Sequence, residues 1–198
     1  MSRKLTLSDI ADLREYERER ADFRSHIIDL KKRRRVGVGP FVTVLFENRD
    51  TIRFQIQEMA RVEKLFTDEA IEAELAVYNP LVPEPGELAL TLFIELTSEL
   101  ALRDWLPRLV GIEEHLELRI GTEDPLVVPC IPDEEHQEQL TRDEITASVH
   151  YIHFRLDPRQ VEAFAAGPVE LALTHPNYEH ATTLGADTQA ELLADLQG

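Results

Sequence analysis

A chain of 198 residues with 43% hydrophobic content fits a single globular domain and can bury about 70% of its unfolded surface, so it needs no disulfide or metal staple. Its net charge of −17 repels phosphate backbones, which excludes general nucleic-acid binding from the expected roles. One cysteine, Cys130, cannot form an internal disulfide, and no apolar run or leader-type segment stands out in the sequence. The expected setting is therefore cytoplasmic, away from any membrane.

The charge is uneven. Residues 1–35 hold eleven Lys and Arg against seven Asp and Glu, while the remainder holds ten against thirty-one. The reading is an N-terminal helical arm over 1–35 with a basic end, followed by one α+β domain over 36–198. In the arm, Thr6 and Asp9 resemble a capping box, and Ile10, Leu13, Phe23, Ile27 and Leu30 recur at helical spacing, predicting a helix over 6–33. The run Lys31-Lys32-Arg33-Arg34-Arg35 ends it. Cations there complement the helix dipole, and the same run could also form an anion-binding patch or a docking strip.

Val42, Val44 and Phe46 alternate within a strand predicted over 36–46. Asn48 is placed to cap a helix over 49–65. A hairpin is the rival reading there, because Ile52, Phe54 and Ile56 also alternate with period two; the Glu58–Lys64 stretch favours the helix. Thr67 caps a further helix that ends near Tyr78.

The second half contains two strand–helix–strand units. In the first, Leu88, Leu90, Leu92, Ile94 and Leu96 alternate, Ser98 opens a helix running toward Leu109, and Leu116, Leu118 and Ile120 form the next strand. In the second, a strand over 149–156 leads to Asp157-Pro158-Arg159-Gln160. That string supplies a cap, a first-turn proline and a closing glutamine, and Gly167 ends the helix before a strand at Val169, Leu171 and Leu173. Between the units, the proline-rich, acidic stretch 121–146 reads as a surface excursion. Thr188 with Glu191 starts a last short helix. The fold expected is a layered α+β domain with a mixed or mainly antiparallel sheet of about five strands and helices packed on one face.

No glycine-rich phosphate loop and no nucleophile elbow is present. His150 shares a strand face with Ile152 and Phe154, the setting of a hydrogen-bonded core histidine. His115 stands at the head of the strand that carries Glu117 and Arg119. If the two units bring His115, His150 and His175 together with Glu58 or Glu95, three imidazoles and a carboxylate would suit Fe, Mn or Zn.

Several strings resemble an uncharacterised bacterial family, domain of unknown function 3501. They are Leu30–Val36, Phe46–Thr51, Gln55–Met59, Tyr78–Pro83, Gly111–His115, Ser148–Tyr151 and His175–Tyr178, and together they span most of the chain. The resemblance implies a stand-alone domain, and it brings no established activity. It also implies an accessory setting beside rubrerythrin-like and iron–sulphur proteins, with a redox protein as partner. The polar residues in or beside the strings give a candidate binding set of Arg35, Glu47, Asn48, Arg49, Gln55, Glu58 and Tyr178. Three functions follow as expectations. The first is an accessory or binding protein of a redox or peroxide-defence system, as a homodimer. The second is a small metal enzyme using His115, His150 and His175. The third is a domain in which Arg34, Arg35 and Arg49 grip an anionic small molecule.

Overall fold

The computed structural model describes residues 3–133 and 145–198. Two antiparallel sheets face each other across one apolar core. Sheet A contains β1 (Arg35–Val38), β2 (Val42–Glu47), β3 (Glu87–Ile94), β6 (Ile131–Pro132) and β7 (Val149–Arg155) in the order β1-β2-β3-β7-β6. Sheet B contains β4 (Leu116–Ile120), β5 (Leu126–Pro129), β8 (Val169–His175) and β9 (Tyr178–Thr183) in the order β5-β4-β8-β9. The expected α+β layering with a five-stranded antiparallel sheet is present, and a four-stranded sheet packs beneath it.

Period-two alternation decides what each strand contributes. Val42, Val44 and Phe46 of β2, Leu88, Leu90 and Leu92 of β3, and Ile152 and Phe154 of β7 point toward sheet B. There they meet Leu116, Leu118 and Ile120 of β4 and Val169, Leu171 and Leu173 of β8. The other face of sheet A carries Leu45, Glu47, Thr91, Phe93 and Tyr151. It lies under α1 (Leu13–Arg34), α2 (Arg49–Glu63) and α3 (Asp68–Tyr78). A second small apolar cluster of Leu5, Ile52, Ile56, Leu75, Leu81 and Val82 knits this helical layer together.

The two strand–helix–strand units occupy matching positions. In the first, α4 (Glu99–Trp105) connects β3 of sheet A to β4 of sheet B. In the second, α5 (Pro158–Ala166) connects β7 of sheet A to β8 of sheet B. β3 pairs antiparallel with β7 and β4 with β8, so both pairs sit at the centres of their sheets. Setting β1 aside, β2-β3 stands opposite β6-β7, and β5-β4 stands opposite β9-β8. Two copies of one unit related by a two-fold axis would give this order.

Local chemistry explains where elements begin and end. The helix expected from Thr6 starts instead at Leu13. The Thr6–Asp9 box closes only a single 3₁₀ turn, and Asp12 is the true cap, its carboxylate accepting from Arg14 N and Glu15 N. The strand expected over 36–46 is a hairpin, broken at Gly39-Pro40. Gly39 has φ +76, and a Cβ on it would come within 2.6 Å of His180 and Tyr178, so only glycine fits that turn. Residues 49–63 are helical, with Asn48 Oδ1 accepting from Thr51 N. The last helix, α6 (Ala186–Gln197), begins two residues before Thr188, after Gly185. Of the expected acidic excursion over 121–146, residues 126–129 and 131–132 form β5 and β6. Residues 134–144 lie outside the described residues.

The basic run at the end of α1 divides among several partners. Lys32 pairs with Asp29 at the surface, and Arg33 reaches Glu191 at 2.7 Å. Arg34 is fully buried and donates to Asp195 of α6, with Glu191 at 4.0 Å. Arg34→Ala leaves Asp195 without its guanidinium partner and empties a fully buried position, and should cost about 3 kcal/mol. Lys32→Ala, at an exposed pair, should stay within roughly 0.5 kcal/mol. Urea unfolding of the two variants checks the contrast.

Candidate ligand-binding pocket

Between the outer face of sheet A and the helical layer lies a cavity of about 270 Å³. Its floor is Leu45, Glu47, Thr91 and Phe93 with Val149 and Tyr151, and its walls are Lys31, Arg35, Thr51, Ile52, Gln55, Tyr78 and Leu81. Strand register sets the floor: Arg35 pairs with Leu45, Leu45 with Thr91, and Thr91 with Tyr151. Lys31, in the last turn of α1, and Arg35, the first residue of β1, come to the same cavity from the two sides of the helix–strand junction.

The Glu47 carboxylate is nearly buried and accepts two hydrogen bonds, from Thr51 Oγ1 at 2.5 Å and Thr91 Oγ1 at 2.8 Å. Arg35 stacks over Phe93 at 5.5 Å and makes an exposed 3.2 Å pair with Glu95, whose other oxygen accepts from Thr43. Lys31 lies 5.8 Å over the Phe54 ring and makes no ion pair among the described residues. The Gln55 amide and Tyr78 hydroxyl likewise have no hydrogen-bond partner among those residues. Burial, with Tyr78, Glu47 and Asp133 nearby, pushes the Tyr151 phenol above its ordinary value, so it stays a neutral hydroxyl. A buried acceptor therefore shares a partly apolar cavity with Lys31, Gln55 and Tyr78, whose polar ends have no ion-pair or hydrogen-bond partner among the described residues.

Of the expected binding residues, Arg35, Glu47 and Gln55 meet here. The others have different places. Asn48 is the α2 cap. Arg49 donates to Asp9 and to the Arg3 carbonyl, and it lines a separate depression with Arg3, Asp50 and Asp195. Arg34, Arg35 and Arg49 therefore do not form one grip. Glu58 accepts from Arg20 and Tyr16; the Arg20 guanidinium holds its carboxyl below the ordinary range. Tyr178 fastens the β1–β2 turn: its hydroxyl donates to the Val38 carbonyl and accepts from Phe41 N and Val42 N. Lys31, Thr51, Tyr78, Thr91 and Tyr151 were not foreseen as pocket residues. The Thr91/Phe93 face of β3 was the available signal.

His115, His150 and His175 lie away from this cavity, with His150 on the β7 face that turns toward sheet B. The His115 and His175 rings meet edge to face at 5.0 Å. His115 Nδ1 donates to the Gly111 carbonyl. His175 uses both nitrogens, Nε2 toward the Val110 carbonyl and Nδ1 accepting from Asn177 N. His150 Nε2 contacts Thr146 Oγ1 and the Ala147 carbonyl, while Nδ1 lies 3.7 Å from the Glu113 carboxylate. Cys130 donates its thiol to the Glu113 carbonyl, and burial keeps that thiol protonated. Neither Glu58 nor Glu95 joins this group by hydrogen bond or ion pair. Among the described residues no group of three or more His, Cys, Asp or Glu is arranged to hold a metal ion.

Burial is the largest influence on both His150 and His175 and lowers their pKa values from 6.5. The neutral rings favoured by the fold match the unfolded chain above that value. Below it the unfolded chain takes up protons that the folded state resists, so stability falls as pH drops. Urea midpoints measured at about pH 7.5 and about pH 5.5 should show this loss, and His150→Gln should shrink it.

No helix among the described residues is long and apolar enough to cross a membrane. The model of the family described as protein of unknown function, DUF3501, matches residues 4–196. A crystal structure of a novel protein of unknown function from Burkholderia pseudomallei K96243 is 38% identical. The match covers 98% of this chain and 100% of that one, with a TM-score of 0.89. No curated protein matches in sequence. A match over nearly the whole length, in sequence and in fold, makes this chain a member of the DUF3501 family.

Proposed function

We propose that this protein binds a small anionic molecule in the cavity between sheet A and helices α1 and α2. The observation that carries this reading is Lys31. In a chain of net charge −17, its ammonium stands at a cavity wall without a carboxylate partner among the described residues, and Arg35 lines the same cavity. Gln55 and Tyr78 add neutral donors to the same wall. An anion entering there gains charge-assisted hydrogen bonds from Lys31 and Arg35. A volume of about 270 Å³ limits the guest to metabolite size.

The other two expected functions draw no comparable support. His175 spends both ring nitrogens on backbone groups, and His150 gives Nε2 to Thr146 and Ala147 and turns Nδ1 toward Glu113. No three of these side chains converge on one point among the described residues. The accessory redox role rests on the family resemblance alone.

Thermal unfolding with inorganic phosphate and a panel of small carboxylates tests the proposal, with chloride at equal ionic strength as control. A guest at about 100 times its Kd should stabilise the fold by roughly 2.7 kcal/mol, a rise of about 5–10 °C for a chain of this size. Lys31→Ala should fold normally and lose most of that rise. A panel without any shift, or a shift that Lys31→Ala leaves intact, would overturn the proposal.

A further inference from the structure

Resting on that reading, we infer that the guest is amphoteric: an amino-acid-like molecule whose anionic end meets Lys31 and Arg35 and whose ammonium meets Glu47. The inference comes from how Glu47 is housed. Its side chain belongs to a residue only 8% exposed, yet no Lys, Arg or His nitrogen lies within 4.0 Å of the carboxylate among the described residues. Other enclosed carboxylates are treated differently. Buried Glu113 has His150 at 3.7 Å, and half-buried Asp195 has Arg34. Arg34 is close enough for the Glu47 charge to be felt, but its guanidinium is committed to Asp195.

A buried carboxylate with only two hydroxyl donors is costly to keep. Thr51 and Thr91 use one acceptor site on each oxygen, and a carboxylate offers about four. The remaining sites belong to a residue that lines the cavity, so a guest's ammonium can complete them. An anion with no positive end would instead bring its charge toward Glu47 and bind less well.

Register fixes the spacing of the two poles. Arg35 sits opposite Leu45, and Glu47 is two residues further along β2 on the same face. Diagonal neighbours of this kind lie about 7–8 Å apart at the backbone. Leu45, Ile52, Leu81 and Phe93 line the cavity that both poles share. The complementary guest carries opposite charges a few bonds apart on a small apolar frame. The Arg35–Glu95 pair is exposed and exchangeable, so Arg35 is available to it.

The test uses the full chain and matched triplets of probes in calorimetric titration: leucine, isocaproate and isoamylamine; phenylalanine, hydrocinnamate and phenethylamine; γ-aminobutyrate, butyrate and propylamine. In at least one triplet the amino acid should bind about tenfold or more tightly than its deaminated acid, the worth of one charge-assisted hydrogen bond. Glu47→Gln should erase that preference while sparing the acid's own affinity. If acid and amino acid bind equally, the pocket takes anions and the amphoteric inference fails alone. If amines bind best and Lys31→Ala changes nothing, or if no probe of any class binds, the anion-pocket reading falls with it. Should Glu47→Gln unfold, the triplets on the unaltered protein still decide.

Discussion

Strands β2 and β3 are buried on both faces, and that constraint shapes the rest of the molecule. One face meets sheet B and is apolar throughout its centre, as in any two-layer packing. The other meets helices, and it is not uniformly apolar. Glu47 and Thr91 face the helical layer from adjacent strands, and Thr51 reaches down to them from the first turn of α2. A carboxylate enclosed in this way must be served by fixed donors, because water cannot reach it freely. The helices cannot close completely over such a group, and the space they leave is the cavity.

The same constraint shows why the fold was largely legible in the sequence. Strict alternation in Leu88–Ile94 and Leu116–Ile120 marks strands without ambiguity, and the Asp157-Pro158-Arg159-Gln160 string marks a helix start whose box forms as expected. Alternation also placed His150 among Ile152 and Phe154, where it is found. Errors came where two local signals competed. Thr6–Asp9 and Asp12 both cap: the first closes a single 3₁₀ turn, and the second opens α1. Val36 and Phe46 both look like one strand until Gly39 and Pro40 are given their turn chemistry.

The pocket was only partly legible, for a geometric reason. Polar residues on a strand announce themselves only by breaking an alternation, and Glu47, at the end of β2, looks like the edge of a strand rather than the floor of a cavity. Arg35 and Gln55 shared its neighbourhood because the β1–β2 hairpin and the α2 cap bring three nearby segments together. Tyr78 and Tyr151 come from farther along the chain, and only the pairing of β3 with β7 puts Tyr151 beside Thr91. Tyr178 was misleading in the opposite sense. A tyrosine hydroxyl with three backbone partners is fully occupied in holding a turn, and a sequence shows the residue without its partners.

The arrangement of the two strand–helix–strand units bears on why there is one such cavity. The paired units β3-α4-β4 and β7-α5-β8 build both sheet centres, and neither unit contains a helix that covers the outer face of sheet A. That cover comes from α1, before β1, and from α2 and α3, inserted between β2 and β3. The cavity lies where these additions meet the symmetric core: Glu47, Thr91, Phe93 and Tyr151 come from the sheet, and Lys31, Thr51, Gln55 and Tyr78 come from the added helices. A scaffold with two-fold strand order thereby carries a cavity whose walls come from outside its paired units. Change in the added helices can alter the walls while the sheet that fixes Glu47 stays as it is. That separation of frame from wall lets a binding site diverge without loss of the core beneath it.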